Sequence, residues 1–443
     1  MGEDYSSSSE SCNVCGSNAL YSCGRCGNVH YCSREHQRVD RPEHSLNCSV
    51  YKVVNTPQLG EHIVASCLIA PGNTILKEHP ILVGPMANSD LVCLTCYAAI
   101  TDKDFYKCPD CSWPMCSKVC AYAQTHSLEC DILSDDTTGV GIPSNLGETP
   151  RYDLIMILRG LLLKKSNPRA WKCILEMESH AEIRKNEGDH FHNAAVRYFT
   201  EICKGDYTAD DVHHVRGAIV TNCIILRGEN NIPLRGLYPT FRLFNHSCVP
   251  NIQVTTAISG EIQAKAAVKI KKNEQLCICY TGTLEPLWKR QQYLSKAYKF
   301  QCQCKRCLDP TELGTYFSSP RCPDCRRSFM LPPGNGTIDH WICESCGLKY
   351  EFIDVMQEVS EWLYRLDMND VVGTKSAIQL TREVHKMHDS FNSFHFIPLM
   401  FTQTLLKLLR DGSYHCQKLR HEIWENHLEI FTILEPGLTR RRG

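Results

Sequence analysis

Residues 245–251 read Asn-His-Ser-Cys-Val-Pro-Asn, and this heptapeptide is the most specific stretch of the 443-residue sequence. Beyond it, apolar residues over 262–270 alternate with charged and amide side chains, which predicts a half-buried strand. A turn at 272–274 leads to a second alternation over 276–280. Because side chains two residues apart share one face of a strand, Tyr280 is predicted to point inward with its apolar neighbours.

A tight run of cysteines, Cys302, Cys304 and Cys307, lies downstream of these strands. Three thiolates leave a tetrahedral zinc site one ligand short, so the fourth ligand must come from elsewhere in the chain. If Cys248 of the heptapeptide supplies it, two distant stretches of sequence meet at one metal ion.

Half of the 28 cysteines fall into Cys-x2-Cys pairs, a spacing that offers two thiolates to one zinc ion. The first eight potential ligands are Cys12, Cys15, Cys23, Cys26, Cys32, His36, His44 and Cys48. The same plan recurs at Cys93, Cys96, Cys108, Cys111, Cys116, Cys120, His126 and Cys130, and a ribbon spacing occurs at Cys322, Cys325, Cys343 and Cys346. With Cys248 included, the 24 ligands fill six structural zinc sites with none left over. Free thiols are the alternative, and the regular pairing argues against it.

The composition limits the class of protein. The chain carries 48 Lys and Arg against 49 Asp and Glu, and 43% of its residues are apolar, which excludes a wholly disordered chain. A net charge of −1 argues against direct nucleic-acid binding, although a local basic patch stays open. No apolar run reaches the ~18 residues of a membrane span. The Ser-rich start, 1–10, predicts disorder and no secretory signal, so we expect reduced cysteines and a location in the nucleus, the cytoplasm or both.

The heptapeptide, the strand pair ending at Tyr280 and the cysteine run together resemble a SET lysine methyltransferase domain. The eight-ligand clusters resemble MYND zinc fingers. The whole arrangement resembles the SET and MYND domain (Smyd) family, and the extra N-terminal finger and the ribbon resemble its arthropod branch. The resemblance implies an α+β fold, in which the short sheets and pseudoknot of the SET fold are split by a MYND finger and a helical insertion. Extra zinc modules and a C-terminal helical region would complete it.

The implied domain organisation covers nearly the whole chain. It places a first MYND finger at 11–48, the N-terminal SET part at 49–92, the inserted second finger at 93–130, a helical insertion at 131–218, the C-terminal SET core at 219–281, a post-SET zinc segment at 282–310, a zinc ribbon at 320–348 and a helical domain at 349–443. Short strands predicted over 51–85 and amphipathic helices predicted over 151–218 agree with this organisation.

In MYND fingers the ligands alternate in pairs between two zinc ions. In the first finger, the resemblance therefore assigns one zinc ion to Cys12, Cys15, Cys32 and His36 and the other to Cys23, Cys26, His44 and Cys48. In the second finger, it assigns one zinc ion to Cys93, Cys96, Cys116 and Cys120 and the other to Cys108, Cys111, His126 and Cys130. The first finger has His36 where the family usually has cysteine, and Arg41 where it usually has tryptophan, which is expected to weaken peptide binding. A RING ubiquitin ligase is the alternative, but neither finger closes with a Cys-x2-Cys pair.

The resemblance also implies a site for S-adenosylmethionine beside a lysine channel. The implied cofactor residues are Gly60, His62, Asn222, Asn245, His246 and Tyr280, and the implied catalytic residues are Tyr280 and Tyr298. Asn245 would bind the amino-acid portion of the cofactor, and His246 would bind its adenine through the backbone. Tyr280 would orient the substrate amine and Tyr298 would close the channel. Glu78 matches a SET core position.

This sequence departs from the family pattern on the cofactor side. Where the family usually has Gly-x-Gly, the chain has Gly60-Glu61-His62. A histidine at such a turn either clashes with the cofactor or forces the loop aside. Two functions therefore stay open: a methyltransferase that acts on a histone or another protein, and a SET scaffold with weak or no turnover whose fingers recruit proline-containing peptides of co-repressors. In both cases we expect a monomer.

Overall fold

The computed structural model describes residues 11–27, 29–101, 105–135, 151–188, 190–203, 206–372, 383–384, 386–387, 389–408 and 414–437. The segment 1–10, which the sequence predicts to be disordered, lies outside them. The described part combines short, mostly antiparallel sheets with helices. The predicted α+β fold class is confirmed.

The first predicted finger lies at the start of the described residues. It is built from β1 (Tyr21–Ser22), β2 (His30–Tyr31) and α1 (Arg34–Asn47). Ser33 caps α1, because its hydroxyl accepts a hydrogen bond from the backbone N–H of His36. The finger is held against the strands that follow, since the buried Ser66 hydroxyl donates a hydrogen bond to the Cys26 carbonyl at 2.8 Å.

Four strands come next. They are β3 (Tyr51–Thr56), β4 (Gly60–Ala65), β5 (Thr74–Glu78) and β6 (Leu82–Pro85). β3 and β4 form an antiparallel hairpin in which Thr56 is paired with Gly60. Gly60 has a φ of 63°, in the left-handed region that suits glycine, and it lies where the chain reverses between β3 and β4.

A second finger and a group of helices interrupt the strands. They comprise β7 (Tyr106–Lys107), β8 (Pro114–Met115), α2 (Lys118–Ala121), α3 (Gln124–Ser134), α4 (Tyr152–Ser166), α5 (Pro168–Leu175), α6 (Ala181–Asn186), α7 (His190–Arg197) and α8 (Ala209–Asn222). The predicted apolar face of α4, which includes Leu154, Ile157 and Leu158, is buried. α4 and α8 approach closely at Gly160, where a Cβ atom would lie 2.6 Å from the Val215 side chain.

Strands from both sides of this insertion share the central sheets. The later strands are β9 (Ile224–Arg227), β10 (Pro233–Leu237), β11 (Asn245–His246), β12 (Ile252–Thr256), β13 (Ile262–Ala266) and β14 (Cys277–Ile278). One antiparallel sheet has the order β6-β10-β9 and another has the order β12-β13-β5. β11 pairs in parallel with β14, so the heptapeptide lies beside the segment that leads to Tyr280.

Two strands are shorter than the sequence predicts. β13 ends at Ala266, and Ile270 forms an isolated bridge instead. β14 contains only Cys277 and Ile278, which are both buried, so Tyr280 lies beyond the strand and is partly buried. The regular alternation predicted up to Tyr280 is wrong, because Cys277 is also buried and side chains of the heptapeptide, and not a long partner strand, take the hydrogen bonds of this segment. Tyr280 nevertheless packs against the hydrophobic core, so its predicted inward direction is confirmed.

The C-terminal part contains the remaining helices and a small sheet. They are α9 (Leu287–Tyr293), which continues into a π-helical turn (Leu294–Tyr298), then α10 (Lys305–Leu308), β15 (Met330–Leu331), β16 (His340–Cys343), β17 (Lys349–Glu351), α11 (Phe352–Val372), α12 (Phe396–Leu408) and α13 (Tyr414–Leu434). Phe317, Phe391 and Phe401 belong to a hydrophobic core of this part. In the part of the chain that the structure describes, no helix has the length and apolar character to cross a bilayer.

Candidate active site and zinc centres

The heptapeptide supplies hydrogen bonds to the segment around β14. The Asn251 side-chain oxygen accepts from the Cys277 backbone N–H at 2.8 Å, while the Asn251 amide donates to the Gln275 carbonyl at 2.7 Å. One asparagine thereby pairs with this segment as a neighbouring strand would. The motif therefore fixes the approach of the chain to Tyr280.

The side chain of His246 connects Tyr280 to a cysteine ligand. Burial lowers the pKa of His246 to about 4, so its ring is neutral at physiological pH. The Nδ1 atom accepts a hydrogen bond from the Tyr280 backbone N–H at 2.9 Å, so the ring proton is on Nε2. Nε2 lies 3.2 Å from Cys248 Sγ and donates toward it. The family resemblance implies only a backbone role for His246, whereas its ring is also part of the site.

Tyr280 and Tyr298 lie together. The Tyr280 hydroxyl donates a hydrogen bond to the Phe244 carbonyl at 2.7 Å. The two tyrosine rings have centroids 4.6 Å apart and planes inclined by 34°. Burial raises the pKa of both hydroxyls well above the ordinary value, so both side chains are neutral. Because the Tyr280 hydrogen is directed to a carbonyl, its oxygen can accept from a group that approaches the pair.

The two implied cofactor asparagines lie on different elements. Asn222 ends α8, and its amide donates to the carbonyls of Glu178 and Ala218, each at 2.8 Å. These bonds fix the side chain and leave its oxygen as the atom that can face a ligand. Asn245 begins β11 and is partly exposed.

The Gly60-Glu61-His62 stretch begins β4. His62 is only 3% exposed, and its Nδ1 lies 2.9 Å from the Gly60 carbonyl, to which it donates. The ring is therefore turned back on its own strand. Glu61 forms an ion pair with Arg242 at 3.3 Å, and a Cβ atom on Gly60 would meet no heavy atom within 4 Å. Open space thus remains beside the glycine despite the histidine.

Glu78 has a structural role that the sequence leaves undecided. Its two carboxylate oxygens accept hydrogen bonds from the backbone N–H groups of Thr240 and Phe241, at 2.9 and 2.8 Å. These residues begin the turn that leads into Asn245. Glu78 therefore positions the start of the heptapeptide from the opposite side of the insertion.

The cysteine and histidine ligands meet in sets. Within each of five groups, the ligand atoms lie within 4.8 Å of one another: Cys12, Cys15, Cys32 and His36; Cys23, Cys26, His44 and Cys48; Cys93, Cys96, Cys116 and Cys120; Cys108, Cys111, His126 and Cys130; and Cys248, Cys302, Cys304 and Cys307. In the ribbon, Cys322 Sγ lies 3.7 Å from Cys346 Sγ, and Cys325 Sγ lies 3.6 Å from Cys343 Sγ. A tetrahedral zinc ion with Zn–S bonds of about 2.3 Å needs sulfur atoms roughly 3.8 Å apart. The donor types and spacings of these described ligands therefore fit zinc.

Two buried arginines, Arg290 and Arg306, lie next to the Cys248 site. Cys248 Sγ lies 3.5 Å from Cys307 Sγ, and Arg290 Nη2 lies 3.6 Å from the same Cys307 atom. Glu312 Oε1 binds Arg290 at 2.9 Å and Arg306 at 3.0 Å, and all three side chains are almost completely buried. Zinc with four thiolates is a doubly negative centre, and the two arginines, which outnumber the single Glu312 carboxylate, offset part of this charge.

In the second finger, a carboxylate supports a histidine ligand. Glu129 accepts from His126 Nδ1 at 3.1 Å, which directs His126 Nε2 to the metal ligands, 3.5 Å from Cys111 Sγ. Arg159 of α4 donates to both Glu129 oxygens, at 2.6 and 2.9 Å. Burial alone would raise the pKa of Glu129, but Arg159 and His126 hold it below the ordinary value. Neither Glu129 nor Arg159 was predicted as part of a metal site from the sequence; the spacing of Glu129 three positions after His126 on a helix was the available signal.

Glu129→Gln is expected to weaken zinc binding in the second finger by about 10- to 100-fold, because the amide supports the histidine less well than the carboxylate does. Release of zinc to a chelator, followed with a colorimetric indicator, measures this change. Asp131→Asn, an exposed substitution on the same helix, is the matched control and is expected to release zinc as the wild type does. Equal release from the Glu129 and Asp131 variants would show that the carboxylate does not support the site.

Two family models match the chain. Residues 12–48 match the model described as the MYND finger. Residues 60–281, about half of the chain, match the model described as the SET domain. The second match includes the heptapeptide and Tyr280, together with Gly60 and Asn222.

Curated relatives match over part of their length. The SET domain-containing protein SmydA-8, isoform B, of Drosophila melanogaster is 26% identical over 311 residues, which are 67% of this chain and 66% of that protein. The histone-lysine N-methyltransferase ASHR1 of Arabidopsis thaliana is 27% identical over 218 residues, 46% of this chain and 42% of that protein. The N-lysine methyltransferase SMYD2-B of Danio rerio is 26% identical over 230 residues, 46% of each chain. The chain thus spans 66% or less of the length of these relatives.

Proposed function

Because the chain belongs to the SET and MYND domain (Smyd) family, we propose that it transfers a methyl group from S-adenosylmethionine to a lysine side chain of a protein. Two of the similar proteins are named lysine methyltransferases, which supports this activity at the family level. The substrate is a histone or another protein with an accessible lysine.

The arrangement of Tyr280 carries the proposal. Its hydroxyl donates to the Phe244 carbonyl at 2.7 Å, immediately before Asn245 in the chain, and its ring contacts Tyr298. The hydroxyl oxygen can therefore accept a hydrogen from a lysine amine beside the asparagine proposed to bind the cofactor. Transfer of a methyl group to an amine is an in-line displacement, so the orientation of the two reactants supplies most of the rate.

The same two tyrosines provide an environment in which the lysine amine would be neutral. The lysine must lose its proton before it attacks, although a free lysine has a pKa of about 10.4. Because burial raises the pKa of Tyr280 and Tyr298, neither side chain becomes an anion that would hold the lysine as an ammonium ion. The aromatic rings also exclude water, which further disfavours the charged amine.

The residues around Gly60 fit the proposed cofactor. When bound, S-adenosylmethionine supplies the sulfonium methyl group and a positive charge that favours the neutral amine. Gly60 keeps open space on its Cβ side, and His62 is turned toward the Gly60 carbonyl. Asn245 and the Asn222 side-chain oxygen are the polar groups proposed to hold the amino-acid portion and the adenosine portion.

We expect His62→Gly to change the affinity for S-adenosylmethionine by less than about threefold, because the ring hydrogen-bonds to its own strand and leaves the space beside Gly60 open. The substitution should cost up to ~1 kcal/mol of stability through backbone entropy and lost burial. Calorimetric titration of both proteins with the cofactor measures the affinity. A gain of tenfold or more in the variant would mean that the histidine obstructs the pocket.

The titration also tests the proposed activity. The wild-type protein should bind S-adenosylmethionine and, with a mixture of histones and other proteins, should transfer a radiolabelled methyl group to lysine. If neither the wild type nor His62→Gly binds the cofactor while the zinc content is intact, the methyltransferase proposal is wrong.

A recruitment function is the second candidate. In the second finger, Val119 is 81% exposed and Tyr122 is 62% exposed, and a cavity of about 570 Å³ is lined by Phe105, Tyr106 and Lys107 beside β7. An extended, proline-containing peptide of a co-repressor could dock on these apolar side chains and on the edge of β7. Fluorescence titration with such peptides, and loss of their binding in Tyr122→Ala, would support this function.

A further inference from the structure

A buried arginine of the helical insertion contacts both sides of the proposed site. Arg184 lies on α6 and is 7% exposed. Its Nη2 atom donates to the Ala297 carbonyl at 2.7 Å and to Thr221 Oγ1 at 3.1 Å. Its Nε atom donates to the Ser179 carbonyl at 3.1 Å. One guanidinium group therefore joins the end of α8 to the turn that carries Tyr298.

The Ala297 carbonyl is a natural acceptor for this cation. It belongs to the π-helical turn that ends at Tyr298, and Lys299 follows in the left-handed conformation with a φ of 60°. Because the chain leaves the helix there, the last carbonyls of the turn have lost their usual helical donors. A positive charge at the C-terminal end of a helix is also favoured by the helix dipole.

The segment 178–187 makes further contacts with the same two elements. On the cofactor side, the Glu178 carbonyl accepts from the Asn222 amide at 2.8 Å. On the channel side, Glu187 binds Lys299 Nζ at 2.6 and 2.7 Å. The segment also lies directly on α8, because a Cβ atom on Gly217 would lie 2.3 Å from the Ser179 carbonyl oxygen. Arg184 is at the centre of this set of contacts.

We propose that Arg184 is a positioning residue that fixes the separation between Asn222, at the cofactor end of α8, and Tyr298, at the lysine channel. This inference rests on the proposed methyltransferase function. The hydrogen bonds given above connect Arg184 to Ser179, Thr221 and Ala297, and not to the residues proposed to contact either reactant, so it would govern the rate of transfer more than the affinity for the protein substrate. A misplacement of about 1 Å between reacting groups is enough to lower a rate about 100-fold.

Arg184→Met removes the donors and keeps most of the side-chain volume. The expected result is a kcat lower by about 10- to 100-fold, with a KM for the protein substrate within about threefold of the wild type. Arg184→Lys restores the charge but not the planar fork that reaches several acceptors, so an intermediate kcat is expected. The control is Lys185→Met, because the neighbouring Lys185 forms ion pairs with Glu182 and Asp210, two exposed carboxylates at the surface.

Hydrogen exchange of the backbone amides over 294–300 gives a second measurement that does not depend on turnover. It should be about tenfold faster in Arg184→Met, intermediate in Arg184→Lys and unchanged in Lys185→Met, with zinc content as the check on folding. If the wild type itself transfers no methyl group, the proposed function is wrong, and exchange alone decides whether Arg184 positions the turn. Wild-type exchange in Arg184→Met, or a wild-type kcat in an active protein, would overturn the inference. If Arg184→Met does not fold, the Arg184→Lys variant decides by the same measurements.

Discussion

Tyr280→Phe is expected to lower kcat about 100-fold or more, while the fold and the binding of S-adenosylmethionine are retained. The substitution removes the oxygen that is proposed to orient the lysine amine, and it leaves the aromatic surface against Tyr298 in place. It also removes the hydrogen bond to the Phe244 carbonyl, at a cost to stability of about 1 kcal/mol. Steady-state kinetics and a calorimetric titration of the cofactor measure the two effects separately.

Tyr238→Phe is the matched control for this experiment. The Tyr238 hydroxyl is buried and donates to the Gly260 carbonyl at 2.6 Å, so the same chemical change removes the same kind of hydrogen bond away from the proposed site. It should lower stability by about 1 kcal/mol and leave kcat within about twofold. A wild-type kcat in Tyr280→Phe, or an equal loss in both variants, would contradict the role of Tyr280.

Cys248→Ser is expected to lower the zinc content of the purified chain from about six ions to about five. The serine hydroxyl is a poor zinc ligand at neutral pH, and three thiolates from the cysteine run do not close a tetrahedral site. Binding of a structural zinc ion contributes on the order of 10 kcal/mol to the folding of the segment that carries its ligands. Without the ion, residues 302–307 should therefore become susceptible to protease. Since His246 donates to the Cys248 sulfur, the segment around Tyr280 should loosen as well.

Cys279→Ser tests whether this effect belongs to the metal site. Cys279 lies close to Cys248 in the fold, because the Ser247 backbone N–H donates to the Ile278 carbonyl at 2.9 Å, but its thiol lies 3.1 Å from the Thr281 carbonyl and belongs to none of the ligand sets described above. It should keep about six zinc ions. A wild-type content of four or fewer ions would contradict the ligand assignment, and six ions in Cys248→Ser would exclude Cys248 as a ligand.

The ligand sets could be anticipated because their spacing is local and the pairing between distant members follows the family pattern. The sets that contain Cys12 or Cys108 come together in the structure as the resemblance implies. The fold class was implied by the family resemblance, and short-range periodic patterns such as the apolar residues of α4 agree with it.

The detailed geometry of the site depends on contacts between residues that are far apart in the chain, and such contacts produce no recognisable pattern in the sequence around either residue. β14 is short because the Asn251 side chain takes a hydrogen bond that a partner strand would otherwise take. Asn251 lies 26 residues before Cys277, the residue that donates this bond. Arg184 and Ala297 are separated by 113 residues, and nothing in the sequence around α6 indicates that its arginine faces a distant carbonyl. The partner of Arg159 could not be predicted either. An arginine in an apolar helix indicates that a buried partner exists, but it does not identify Glu129 as that partner.

The distance in sequence between the ligands of one zinc site has a consequence for synthesis. Cys248 and Cys302 are 54 residues apart. At a translation rate of about 5 to 20 residues per second, Cys248 leaves the ribosome roughly 3 to 11 s before its partners. During this interval its thiol has no complete metal site and can react with oxidants. We therefore expect the yield of folded protein to depend on free zinc and reducing conditions while the chain is being made, and much less on their supply afterwards.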